Sequence, residues 1–111
     1  MRSGGVAAAF PADLGAASDP DVATRLIDDV VNQWGRVDGL VQCSAMQSLQ
    51  PFDELHDSDW QAMWEANLLA ATRMSRAALA VMAPGGSIVN ISSVEASAAF
   101  ANHAHYAASK A

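Results

Sequence analysis

The sequence predicts an α/β fold with parallel strands, and three observations carry that reading. Ser87 to Ile91 is a short, β-branched apolar run entered through Pro84-Gly85-Gly86, the pattern of a buried strand. Val37-Asp38-Gly39-Leu40-Val41 is a second such run. Before and between them lie stretches with apolar residues at helical spacing. Strand, helix, strand in that order implies parallel neighbours joined by a right-handed crossover.

Composition bounds the answer. The chain of 111 residues is at most one small domain, and 51% hydrophobic against 16% charged residues supports a packed core. The net charge is -6, and the 6 Lys and Arg are scattered singly, which leaves no electrostatic footprint for nucleic acid or an anionic membrane. No apolar run approaches the ~20 residues that span a bilayer. Met1 to Gly5 lacks a signal-peptide core, and the apolar Val6 to Phe10 is too short to be one. A single cysteine, Cys43, forms no internal disulfide, so a reducing, cytoplasmic setting is expected.

Along the chain, Val6-Ala7-Ala8-Ala9-Phe10 reads as a strand, with Asp13 in the turn after it. A helix near 20–34 follows, with Asp19 as N-cap, Pro20 at the first helical position and Gly35 just past the end. Its stripe of Val22, Leu26, Ile27, Val30, Val31 and Trp34 is core. The next strand covers 37–43. Its exit contains Cys43, which reads on its own as a small buried apolar residue, because no adjacent His or base would activate it. Residues 46–56 form a loop. A long helix near 58–82, capped by Asp57, is apolar around much of its surface and so is buried on more than one side. Asn67 lies inside it. Mid-helix Asn is unfavourable by roughly 0.5 kcal/mol against Ala, which asks for a reason. The strand near 87–92 ends in two hydroxyls, Ser92 and Ser93.

Those hydroxyls stand where parallel α/β sheets bind ligands, outside the carboxyl end of a strand. Tyr106 follows thirteen residues after Ser93, and Lys110 four after that, on the same helix face. An ammonium near a phenol favours the phenolate, and a phenol so tuned exchanges a proton near neutral pH. A nearby Ser hydroxyl holds the oxygen of a carbonyl or alcohol. That chemistry suits reversible carbonyl reduction with a hydride-carrying cofactor. Glu95, His103 and His105 lie between Ser93 and Tyr106 and border the substrate in this reading. The two histidines lack the cluster of Cys or acids that a metal site needs, so no metal is expected.

Gly86-Ser87-Ile88-Val89-Asn90-Ile91-Ser92-Ser93, the thirteen-residue step and Tyr106-Ala107-Ala108-Ser109-Lys110 together resemble the short-chain dehydrogenase/reductase family. The resemblance implies the central part of a Rossmann-like doubly wound parallel sheet, with residues 1–111 a piece of one NAD(P)-binding domain that lacks the first βαβ unit and the C-terminal strands. It implies NAD or NADP as cofactor and a small carbonyl/alcohol substrate. Tyr106 would be the acid/base, Ser93 would bind the substrate oxygen, Lys110 would tune Tyr106 and hold the nicotinamide ribose, and Asn67 would seat a relay water. Asp13 would lie near the adenine. Cys43, Ser44 and Ala45 would lie beside the cofactor, although Gln42-Cys43-Ser44-Ala45 stands where the family has Asn-Asn-Ala-Gly. The helix near 58–82 would pack against a partner subunit in a homo-oligomer.

The family's glycine-rich phosphate turn has no counterpart here, since Gly4-Gly5 precedes a strand. A different class of function follows from that: a catalytically inactive truncated remnant that at most associates with homologous subunits. In the family's strand order, Val6 to Phe10 would stand without its neighbours, either alone or paired with 37–43 in a foreign register. The isolated polypeptide is therefore expected to be aggregation-prone or partly folded, and inactive.

Overall fold

A computed structural model describes residues 4–15 and 19–111; Met1 to Ser3, part of the leader reading, lie outside them. The first helix, α1 (Val22–Trp34), forms where the apolar stripe predicts it but starts later than expected. Asp21, not Asp19, is its N-cap. Asp19 instead pairs through its carboxylate with the Arg25 guanidinium one turn into the helix. That hydrogen bond, chiefly, holds the Asp19 carboxyl below its usual range. Gly35 ends α1 in the left-handed conformation, φ 79°, and its N–H bonds the Val31 carbonyl at 2.7 Å. A Cβ is disfavoured there, which is why glycine closes the helix.

The strands β1 (Gly39–Gln42) and β2 (Ser87–Asn90) pair in parallel, with Leu40 opposite Ile88 and Val41 opposite Val89. Ser87 N–H to the Asp38 carbonyl and Ile91 N–H to the Gln42 carbonyl extend the ladder at both ends, each at 3.1 Å. Gly86 permits the close entry: a Cβ there would stand 3.3 Å from the Asp38 carbonyl oxygen.

The crossover between the strands is not one uninterrupted helix. It runs as α2 (Asp57–Trp64), a π turn over Glu65–Leu69, and α3 (Ala70–Leu79). The N-cap is His56 and not Asp57, and the His56 N–H is held by the Asp59 carboxylate at 2.8 Å. In the π turn the Ala70 N–H reaches back five residues to the Glu65 carbonyl. After β2 a 3-10 turn (Val94–Ala96) and a loop through Asn102, at φ 64°, lead into α4 (Ala104–Lys110).

The core lies between α1, α3 and the start of β1: Ala23, Ile27, Val37, Met74 and Ala78 are buried, with Leu26, Leu40 and Met82 packed at its margin. Ala78, 0% exposed, keeps the two helices close. Leu40 and Gln42 turn inward, whereas Val41 is 62% exposed on the opposite sheet face.

One expected strand is not there. Val6 to Phe10 has no ladder partner among the described residues and runs as irregular, exposed chain, the lone-standing outcome of the two expected. Three alanines in five residues give it little β-propensity. Phe10 packs edge-on against Trp34 of α1, ring centroids 6.0 Å apart, so an aromatic contact and not a ladder anchors the segment.

Ile27 is 4% exposed at the centre of this core. Ile27→Ala should lower stability by about 2–5 kcal/mol, read as a fall in the urea midpoint at unchanged m-value.

Candidate active site

The carboxyl ends of β1 and β2, the π turn and α4 meet around one cavity of about 420 Å³. Its polar lining includes Gln42, Ser44, Asn67, Ser92, Ser109 and Lys110. Gln42 is fixed there because its amide reaches the Asn90 side chain at 2.8 Å, Ser75 at 2.9 Å and the Ala71 carbonyl at 3.0 Å.

Asn67 is the hub. It is 8% exposed, inside the π turn, so its side chain does not point to solvent. Its Oδ1 accepts the Met46 N–H at 2.7 Å, and its Nδ2 donates to the Met46 carbonyl at 2.8 Å and to Ser109 Oγ at 2.9 Å. Met63 Sδ lies 3.1 Å from the same nitrogen. Ser109 passes the link on, donating to the Tyr106 carbonyl at 2.7 Å. One amide thus joins the loop after β1 to the helix that carries Tyr106 and Lys110.

A second link closes α4 on β2. Lys110 Nζ donates to the Ile91 carbonyl at 2.6 Å, and Ser92 Oγ donates to the Lys110 carbonyl at 2.7 Å. The lysine ammonium is therefore held at the strand end, where it satisfies a carbonyl beyond the ladder. Ser93, half-buried, is the N-cap of the 3-10 turn, and its hydroxyl accepts the Glu95 N–H at 3.2 Å. Tyr106, also half-buried, packs its ring edge-on against His103, centroids 6.0 Å apart.

Asn67 and Lys110 of the expected set line the cavity together; Ser93 and Tyr106 do not line it. Asp13 and Ala45 line a neighbouring cavity of about 410 Å³. Ser44 lines both. Asp13 also behaves as a turn residue, accepting the Gly15 N–H on Oδ1 at 3.0 Å. Cys43 departs from expectation: it is exposed, not buried, at a position where β1 has already ended. Glu95, His103 and His105 do not border an open cleft; they are 6%, 8% and 1% exposed. His105 is hydrogen-bonded through Nε2 to Ser48 at 2.8 Å and packs on Trp60.

The sequence does not single out Ser109 or Met46 as parts of the site, and it places Ser92 at the strand end without giving it a partner. Ser109 had a readable signal, a small hydroxyl one turn after Tyr106. Met46 had none, because only its backbone takes part.

Parallel strands joined by a crossover helix, with a cavity at their carboxyl ends, place the chain in the Rossmann-like α/β class. More narrowly, it belongs to the short-chain dehydrogenase/reductase family: the family model described as short chain dehydrogenase matches residues 2–111. It is 35% identical over 88 residues to a short-chain dehydrogenase/reductase, ABA4, of Pyricularia oryzae, covering 76% of this chain and 33% of that protein. It is 34% identical over 105 residues to the hydroxynaphthalene reductase arp2 of Aspergillus fumigatus, covering 95% of this chain and 37% of that protein. A short chain dehydrogenase of Burkholderia cenocepacia, solved in complex with NADP, superposes with a TM-score of 0.83 at 30% identity, over 91% of this chain and 40% of its own. The chain thus spans roughly a third to two-fifths of the length of these relatives.

The geometry generates a stability prediction. Ser109→Ala leaves an Asn67 N–H buried without its acceptor and should lower stability by about 1–3 kcal/mol in chemical denaturation. Thr72→Ala, whose exposed hydroxyl only bonds back to the Leu68 carbonyl, should stay within about 0.5 kcal/mol of wild type.

Proposed function

We propose that the protein is an NAD(P)-dependent oxidoreductase that interconverts a small carbonyl compound and its alcohol, with residues 1–111 forming part of its single cofactor-binding domain. The observation that carries this reading is the docking of the Tyr106/Lys110 helix against the carboxyl end of β2, held there by Asn67–Ser109 and by Ser92–Lys110–Ile91. The donor set suits a nicotinamide dinucleotide. Two adjoining cavities share Ser44, and hydroxyls, an amide and one ammonium face them, the groups that donate to ribose and phosphate oxygens. When bound, the nicotinamide supplies the hydride in reduction and takes it up in oxidation.

The chain's own residues do the rest. Tyr106 gives its phenolic proton to the carbonyl oxygen, or takes one from the alcohol in the reverse direction. Ser93 hydrogen-bonds that oxygen and fixes it. The Lys110 ammonium has three donors, and only one is spent on Ile91, so two remain for a ribose hydroxyl. Asn67 has both amide hydrogens engaged, so it seats the relay water through a remaining acceptor lone pair. Asp13, Ser44, Ala45 and the exposed Cys43 flank the nucleotide. Among the described residues no helix is long and apolar enough to cross a membrane; with the single cysteine, this supports the cytoplasm as the working compartment. Trp64 and Leu68, 48% and 36% exposed on the crossover, are the surface through which subunits would associate.

In the complete protein, Tyr106→Phe should lower kcat by about 10²–10⁴ and leave NADPH affinity nearly intact, read by steady-state kinetics and fluorescence titration. Near wild-type turnover in Tyr106→Phe would overturn the assignment. Titrating NADH and NADPH into the 111-residue chain should show binding weaker than to the complete protein.

A further inference from the structure

Twelve residues, 94–105, separate Ser93 from Tyr106, and most of that excursion is exposed loop. Two buried polar side chains within it are bound to each other. The Glu95 carboxylate and His103 Nδ1 stand 2.5 Å apart. Each partner also touches one end of the excursion. The Glu95 N–H donates to Ser93 Oγ at 3.2 Å, and the His103 ring meets the Tyr106 ring edge-on at 6.0 Å. The His103 carbonyl takes the Ala107 N–H at 2.8 Å, and its N–H bonds the Phe100 carbonyl at 3.3 Å. His103 is therefore anchored to α4 at its backbone, while Glu95 is anchored to the Ser93 turn at its own.

We propose that the Glu95–His103 pair is a positioning clamp that sets the Ser93 hydroxyl relative to the Tyr106 phenol; this rests on the oxidoreductase reading above. Neither side chain meets the substrate. The pair acts because two buried polar groups are stable only in each other's company, so the geometry that pairs them is strongly preferred. That geometry fixes the distance between the group that holds the substrate oxygen and the group that moves its proton. Small misplacements of such groups cost turnover more than binding.

The test compares substitutions of similar volume in the complete protein, reducing para-nitrobenzaldehyde with NADPH. Glu95→Gln keeps an acceptor for His103 and should hold kcat within about threefold of wild type. Glu95→Met fills the space without an acceptor, and kcat should fall about tenfold to a hundredfold while KM for NADPH stays unchanged. The same contrast is expected between His103→Asn, which keeps a donor, and His103→Leu, which does not. Circular dichroism verifies that each variant is folded. Folded Glu95→Met and His103→Leu proteins with the kcat of their polar counterparts would overturn the clamp. So would apolar variants that fail to fold at either position, because the pair would then be structural only. Tyr106→Phe is run alongside: if it keeps full turnover, the acid/base assignment of Tyr106 falls and takes the clamp with it. If it loses turnover while the apolar variants keep theirs, only the clamp falls.

Discussion

The site depends on one buried amide. Asn67 sits on the crossover helix, yet its side chain binds distant parts of the chain: both backbone groups of Met46 and the Ser109 hydroxyl. Burying an amide without partners costs several kcal/mol in an apolar medium, so the arrangement forms only when all three segments arrive together. The loop after β1, which lines the second cavity, and α4, which carries the proposed acid/base, are thereby held to a common point. The π turn around Asn67 belongs to the same arrangement, since the extra residue in that turn changes the direction in which the side chain leaves the helix.

The docking of α4 shows how little covalent continuity matters here. Its residues Ala104–Lys110 lie against other parts of the chain. It is stabilised by contacts made elsewhere: Lys110 to Ile91, Ser92 to the Lys110 carbonyl, and Ser109 to Asn67. Lys110 serves two purposes in this account. One donor closes the strand end, and the charge remains beside the cavity where a phenolate and a ribose would use it. Placing the ammonium by a backbone carbonyl fixes it without neutralising it.

Much of this was readable in the residues, for identifiable reasons. The β2 strand contains β-branched residues and is entered through two glycines, the α1 stripe keeps a helical period, and the Ser93, Tyr106, Lys110 spacing resembles a recognisable family, so periodicity and motif were enough for the elements and the family. What escaped was set by tertiary contacts. Asn67 announced itself as a misfit in a helix, but nothing in the sequence names Met46 as its partner, because the partner is backbone. The N-caps Asp21 and His56 are not legible because Asp19 is as good a cap by type as Asp21 and Asp57 a better one than His56, and only chain geometry selects among them. Val6 to Phe10 was read as a strand from its apolar run, yet strand formation needs a neighbour and this segment found Trp34 instead. Glu95 and His103 read in sequence as residues that border the substrate; their pairing across eight positions is visible only in three dimensions.

The central claim is that the Asn67 side chain couples the loop after β1 to the Tyr106/Lys110 helix, and amide hydrogen exchange on Asn67→Ala in the complete protein tests it most directly. The account predicts that the Met46 amide, which donates to Asn67 Oδ1, and the amides of α4 lose protection together, while the β1–β2 ladder keeps its own. Loss at Met46 alone, with α4 as protected as in wild type, would contradict it.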